Sequence, residues 1–294
     1  MTLPGISLVT PSFNQGQYLE AAMRSVLDQD YPRLEYVVVD GGSTDASVEI
    51  IQRHASRLTS WVAEADDGQY DALNKGFAGT TGEIMGWINS DDVYLPGALS
   101  VVGEIFAAFP QIEWLTSLHS TLLDRLGRIV HIEPRLGYSR PAFFAGENLP
   151  GGTHFATGWI QQECTFWRRS LWERAGARLA TEFPLAGDFE LWARFFKHAE
   201  LYAVETPLAA FRWHGSQRSA EQEQGYAAEA LRAFEKHGGR AAGPAKSWLR
   251  AFARCFASRL LLRRIAGRFG LLHPCGIVRR SYRDEQWKLT SRLA

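Results

Sequence analysis

A chain of 294 residues with 46% apolar composition can bury one large core and carry an appendage, which excludes a disordered or fibrous protein. No apolar run approaches the roughly 18 residues of a membrane span, and Met1-Thr2-Leu3-Pro4-Gly5 leads into a strand pattern without a basic and apolar leader, so the chain reads as cytoplasmic. The 32 basic and 32 acidic residues are segregated: residues 236–283 carry 12 Lys or Arg and no acid, so a basic tail follows an acidic body and suits an anionic surface, either membrane or nucleic acid.

Cys164, Cys255 and Cys275 lack metal-ligand spacing and read as reduced thiols. Ile6-Ser7-Leu8-Val9-Thr10 is a predicted strand that leaves through Pro11-Ser12-Phe13-Asn14-Gln15-Gly16. A helix follows with Leu19, Ala22, Met23, Val26 and Leu27 on one face, stopped by Tyr31-Pro32. Leu34 to Asp40 is a second strand, and its run Tyr36-Val37-Val38-Val39 predicts burial on both faces. It ends in Asp40-Gly41-Gly42-Ser43-Thr44-Asp45, where glycines admit a ligand close to the backbone and Thr44 or Asp45 caps the next helix. Trp61 to Glu64 is a third strand, followed by the polar stretch Asp66 to Gly76 entering a helix. Ile84-Met85-Gly86-Trp87-Ile88 is a fourth, ending in Asn89-Ser90-Asp91-Asp92.

Alternating strands and helices imply a largely parallel sheet whose ligands gather at the strand carboxyl ends. Ser12, Asp40, Glu64, Asp66 and Asp91-Asp92 all fall there, and adjacent carboxylates suit Mg²⁺ or Mn²⁺ holding a phosphate group.

Beyond a helix from Leu95-Pro96 to Phe109-Pro110, Ile112 to His119 reads as a strand and Arg125 to Arg128 as a hairpin turn. Residues 133–158 form a long Gly-, Pro- and aromatic-rich connection, including Pro150-Gly151-Gly152-Thr153-His154, either a mobile lid or a packed irregular segment. Trp159 to Arg169 is a predicted strand with Phe166 and Trp167 for the core and Gln162 and Glu163 for the site. Asp188 stands at the start of a helix whose buried face is Leu191, Trp192, Phe195 and Phe196, and is either its cap or a functional acid. Residues 221–236 form another helix, ended by His237-Gly238-Gly239. From Lys246 to Phe269 an apolar stripe of Trp248, Leu249, Phe252, Phe256, Leu260 and Ile265 runs beside Lys246, Arg250, Arg254, Arg263 and Arg268, a basic amphipathic helix packed on the body or docked on anionic lipid.

Thr10-Pro11-Ser12-Phe13-Asn14, Val39 to Asp45, Asp67 to Gly76 and Asn89-Ser90-Asp91-Asp92 together resemble family 2 glycosyltransferases of the GT-A fold. The resemblance covers about the first two-thirds of the chain. It implies a Rossmann-like three-layer α/β/α sandwich over residues 1–220, with a nucleotide-sugar half to about residue 110 and an acceptor half from 111 to 220. Residues 221–294 are left as a helical, basic C-terminal extension. It also implies inverting transfer of a sugar from a UDP-, GDP- or dTDP-linked donor to a hydroxyl of a carbohydrate or lipid-linked acceptor.

Residue by residue, Asp91 and Asp92, with His214 of Arg212-Trp213-His214, match the family's metal positions for Mg²⁺ or Mn²⁺. Pro11, Ser12, Asn14, Asp40, Asp66, Asn74, Lys75, Ser90, Asp91 and Arg212 match donor contacts, and Asp188 matches the catalytic base, with Glu190 as its nearest rival. Asn89 and Gly41 depart from the family, which often has Asp at both. The basic segment 246–283 is read as a candidate for peripheral contact with the inner membrane face, and no nucleic-acid partner is expected. The absence of G-x-G-x-x-G, P-loop and G-x-S-x-G motifs argues against dehydrogenase, P-loop and hydrolase chemistry. The alternatives are a sugar-1-phosphate nucleotidyltransferase and a non-catalytic nucleotide-sugar-binding protein.

Overall fold

Strands with continuous apolar runs make the centre of the structure, a computed structural model that describes residues 2–150, 158–215, 217, 222–255 and 265–294. β1 (Ile6–Ser12) lies between β2 (Leu34–Asp40) and β4 (Ile84–Trp87), parallel to both, and β3 (Ser60–Ala63) runs parallel to β2. The crossovers are α1 (Gly16–Leu27), α2 (Ser47–His54) and α3 (Gln69–Ala78). Ser12 pairs with Asp40, so the carboxyl ends of β1 and β2 finish side by side.

Successive strand residues point to opposite faces, and both faces are covered. Leu8, Tyr36, Val38 and Ile84 pack with α1, α2 and α4 (Ala98–Ala108). Val9, Val37, Val39 and Met85 pack with α3, α6 (Arg169–Arg174) and α7 (Gly187–His198). The result is the expected three-layer α/β/α arrangement, with α5 (Arg140–Phe143) a short turn of helix at its side. The indoles of Trp87, Trp114, Trp167 and Trp192 are almost fully buried, and Trp192 stands 5.6 to 5.9 Å from the other three. This aromatic cluster fastens α7 to the sheet.

The second half extends the sheet. β9 (Phe166–Arg168) runs antiparallel between β4 and β6 (Trp114–Ser117), and β10 (Leu201–Val204) lies parallel to β6. The predicted strand over Trp159–Arg169 is thus shorter, because Gln162–Cys164 forms a single 3₁₀ turn before it. A separate four-stranded sheet, in the order β5 (Val93–Tyr94), β11 (Ala209–Arg212), β7 (His119–Leu123) and β8 (Ile129–Pro134), carries the expected hairpin turn between β7 and β8.

The C-terminal extension is only partly helical. After α8 (Glu223–Lys236) and α9 (Pro244–Cys255), β12 (Pro274–Arg280) pairs parallel with β10 and β13 (Trp287–Leu293) pairs antiparallel with β12. These strands complete a nine-stranded sheet, β13-β12-β10-β6-β9-β4-β1-β2-β3, so no boundary at residue 220 divides it. The edge of β10 offered unpaired backbone groups, which the C-terminal hairpin satisfies. The expected helix over 246–269 is seen as α9, and residues 256–264 lie outside the described ones. Its polarity is the reverse of the expectation: Arg250 is buried and pairs, with Arg254, to Glu147, while Trp248, Leu249 and Phe252 are 65%, 55% and 63% exposed. A carboxylate turned inward draws cationic partners with it.

Gly76 on α3 faces Val9, and a Cβ there would stand 2.5 Å from Val9 Cγ1. Gly76→Ala should therefore lower unfolding free energy by about 1–3 kcal/mol in urea denaturation. Unchanged stability would contradict so close an approach of α3 to β1.

Candidate active site

The turns after β1 and β2 are tied to each other by short polar side chains. Asn14, at φ 51°, accepts from Thr44 N at 2.8 Å and its own N–H donates to Ser43 Oγ at 2.8 Å. Asp45 accepts from Ser47 N at 2.9 Å at the start of α2 and from Gly16 N at 2.9 Å. Asp40 is fully buried, and its oxygens accept from Gly42 N, Ser43 N and Ser43 Oγ. Gly42 reaches this turn with φ +84°, which favours glycine. Asp40 therefore builds the turn, its oxygens engaged by these internal donors where the sequence reading expected a donor contact.

Asp66 is the more accessible acid here. It accepts from Gly68 N at 2.9 Å, and a Cβ on Gly41 would meet its Oδ2 at 2.8 Å. Ser12 Oγ, close by at the end of β1, is buried without a hydrogen-bond partner among the described residues. Pro11, Ser12, Asn14 and Asp66 thus share one end of the sheet.

Two other expected donor contacts are engaged elsewhere. Asn74 brackets Leu179, donating to its carbonyl at 3.0 Å and accepting from its N–H at 2.8 Å, so its amide serves the loop before α7. Lys75 is exposed and pairs with Glu64 and Asp71 at 3.3 and 3.2 Å.

At the end of β4, neighbouring acids take different roles. Asp92 is fully buried; it accepts from Arg212 N at 2.9 Å and from the Asn89 amide at 3.3 Å. Burial, with the charges of Asp91 and Glu163, raises its carboxyl well above the usual range. Asp92 accordingly ties the end of β4 to β11, and these donors engage its oxygens where the sequence reading expected a metal ligand. Asn89 accepts from Gln69 at 2.7 Å, and Ser90 is buried between these residues in sequence.

Arg212 is also buried. Its Nε donates to the Asp91 carbonyl at 2.7 Å and its guanidinium lies 5.2 Å from the Tyr18 ring centre. It holds the β4 and β11 ends together. His214, two residues on, places Nε2 3.1 Å from Asp91 Oδ2, and its ring lies 4.7 Å from that of Tyr18 at a 32° tilt.

The Asp91–His214 pair fits a divalent ion. Two adjacent ligands of an octahedral ion, each about 2.1 Å from it, stand about 3 Å apart, the separation seen here. Among the described residues no group of three or more His, Cys, Asp or Glu could hold a metal, so the remaining ligands would be phosphate oxygens and water.

Asp188 opens α7. Its Oδ1 accepts from Phe189 N at 2.7 Å, and Tyr226 Oη on α8 lies 3.2 and 3.1 Å from its two oxygens. Tyr70 Oη on α3 is 3.5 Å from Oδ1 and donates to the Leu185 carbonyl at 3.0 Å. Burial raises the Asp188 carboxyl to about 6, against the lowering effect of these donors. Burial likewise raises Glu163 to about 7, with contributions from the charges of Asp188 and Asp91. One oxygen each of Glu163 and its neighbour Gln162 is buried without a partner among the described residues. Glu190, the rival base, is instead buried in a pairing with Arg194 and His237.

Sequence reasoning missed Tyr226. Its signal was the spacing Tyr226, Ala230, Ala233, which turns it inward on α8. Of the connection over 133–158, expected as either a mobile lid or a packed irregular segment, residues 151–157 lie outside the described ones.

The sequence model of glycosyl transferase family 2 matches residues 7–159, over half of the chain. The chain belongs to this family. An uncharacterized glycosyltransferase of Nostoc sp. is 38% identical over 104 residues, covering 34% of this chain and 32% of the relative. One from Mycobacterium tuberculosis is 27% identical over 209 residues, 71% of this chain and 75% of the relative. Solved glycosyltransferases share the fold. TarS of S. aureus in complex with UDP-GlcNAc aligns with TM-score 0.55 and 16% identity over 85% of this chain and 71% of that one. The alignment spans 42% of a longer TarS chain. The mannosyltransferase PcManGT of Pyrobaculum calidifontis in complex with GDP-Man and Mn²⁺ aligns with TM-score 0.52 and 17% identity over 92% of this chain and 85% of that one. The architecture of the family member described here is therefore the GT-A fold.

The two neighbouring acids should respond differently to removal. Asp92→Ala leaves buried donors on Arg212 and Asn89 unanswered and should lower stability by about 1–3 kcal/mol in urea denaturation, whereas Asp91→Ala should change it by less than about 1 kcal/mol. Equal losses would contradict the division of roles.

Proposed function

We propose that the protein is an inverting, metal-assisted glycosyltransferase that moves a sugar from a nucleoside diphosphate donor to a hydroxyl of a carbohydrate or lipid-linked acceptor. The observation that carries this reading is Asp188, a partly exposed carboxylate at the head of α7, held by Tyr226 and raised by burial to about 6. An acid so tuned can be ionised near neutrality and still take a proton effectively. Asp188 removes the proton of the acceptor hydroxyl as its oxygen attacks the anomeric carbon; the bond to the diphosphate breaks, its electron pair leaves with the nucleoside diphosphate, and the configuration inverts.

Asp91 and His214 would hold the divalent ion, which when bound supplies positive charge beside the leaving diphosphate. Mg²⁺ and Mn²⁺ are the ions this reading admits. Asp66 and Ser12, at the ends of the sheet, line the nucleoside side, with Asn14 fixing the turn between them. UDP-, GDP- and dTDP-linked sugars are the donor classes this reading admits. An assembly role in cell-surface polysaccharide or glycolipid is in keeping with the outward Trp248, Leu249 and Phe252 of α9, an apolar face suited to a membrane interface.

A thermal-shift panel of these nucleotide sugars with Mn²⁺ or Mg²⁺ tests donor recognition, since a bound donor stabilises the native state by mass action. One donor should raise the melting temperature with metal and lose much of that effect in EDTA or in Asp91→Ala. No shift with any donor would contradict the reading.

With that donor, turnover should fall about tenfold per pH unit below about 6, as protonation of Asp188 removes the base. Asp188→Asn should lose about a hundred- to ten-thousand-fold in turnover while binding donor normally. Near-normal turnover would contradict the assignment.

A further inference from the structure

We infer that Tyr226, on a helix beyond the expected catalytic domain, is a positioning residue that bridges the two oxygens of Asp188 and aims the carboxylate at the acceptor hydroxyl. The inference rests on the reading of Asp188 as the base.

Hydrogen-bond accounting singles Tyr226 out. A hydroxyl donates one proton. Tyr70 donates to the Leu185 carbonyl at 3.0 Å, accepts from Asp188 N at 3.2 Å, and reaches Oδ1 only at 3.5 Å, the weaker approach of the two phenols. Tyr226 is the nearer hydroxyl donor, within 3.1 to 3.2 Å of both carboxylate oxygens. Oδ1 also accepts from Phe189 N, whereas Oδ2 accepts only from Tyr226 among the described residues. Oδ2 therefore keeps a lone pair for the incoming proton.

Helix α8 is fixed against α7 at two further points. Glu229 accepts from Leu185 N at 2.8 Å and Ala186 N at 3.0 Å, just before α7 begins. His237 lies 2.8 Å from Glu190, which also pairs with Arg194. Ala230, Ala233 and Phe234 fill the apolar contact between them. The rotation of α8, and with it the direction of the Tyr226 hydroxyl, is set by these contacts. The titratable groups facing Asp188 are Tyr70 on α3, Tyr226 and Glu229 on α8, and Glu163 in the turn before β9; Glu190, on its own helix, is already ion-paired.

The phenol donates to the ionised carboxylate, so its removal makes that form harder to reach, and the acidic limb of the pH profile must move upward. The test follows released UDP or GDP from pH 5 to pH 9, with UDP-N-acetylglucosamine and GDP-mannose as donors, in wild type, Tyr226→Phe and Asp188→Asn. Tyr226→Phe should move the acidic limb up by roughly one pH unit and lower the plateau turnover about tenfold, with donor KM unchanged. A ring-fluorinated tyrosine installed at position 226, a stronger donor, should move the limb downward and provides the reading if Tyr226→Phe does not fold. An unmoved limb in both variants, or an effect confined to melting temperature, would overturn the inference. Activity surviving in Asp188→Asn would instead overturn the base assignment on which it rests.

Discussion

Asp92 has no contact with solvent, and a carboxyl group withdrawn from water is tolerated only where donors meet its oxygens. Those donors are the backbone N–H of Arg212 and the side chain of Asn89. The first belongs to β11, in the smaller sheet, and the second to the end of β4, in the larger one. One buried carboxyl thereby joins the two sheets. With the chain fixed at Arg212, the next turn brings His214 to Asp91, and the Tyr18 ring supports both Arg212 and His214 from α1. The candidate metal pair follows from how Asp92 is satisfied.

The opposite wall has a different basis. α7 is fastened to the sheet by indole packing around Trp192 and to α8 by polar contacts around its first turn. Asp188 sits where both sets of contacts end. Burial raises its carboxyl and donors oppose that rise, and the balance leaves it at about 6. A surface carboxylate would be too weak a base for proton removal near neutrality, and a fully enclosed one would stay protonated. Under the proposed reading, stability and chemistry meet in the same helix terminus.

Much of this was legible in the sequence. Val9, Tyr36 to Val39 and Ile84 to Trp87 have a continuous apolar character that only a doubly covered sheet accommodates, and β1, β2 and β4 lie where that pattern put them. The four motifs pointed to the family and to the carboxyl ends of those strands. Side-chain direction was not legible. Asp91 and Asp92 are indistinguishable by type, and their roles divide only because β11 reaches one of them from 120 residues away in sequence. Asp40 and Asn74 look like ligand contacts by motif, yet local turn geometry and the distant Leu179 claim their hydrogen bonds. The polarity of α9 reversed because Glu147, in a segment with no periodic pattern, turned Arg250 inward. The C-terminal strands were hidden by basic composition, and Tyr226 by its distance from every motif.

The central claim is a single displacement at the anomeric carbon with Asp188 as base, and the configuration of the product tests it most directly. With an α-linked donor such as UDP-N-acetylglucosamine or GDP-mannose, whichever the protein turns over, proton NMR of the first product formed should show the β anomer alone. An α-linked product would contradict the account, because retention requires a second displacement or a different reaction course that a lone base at Asp188 does not provide.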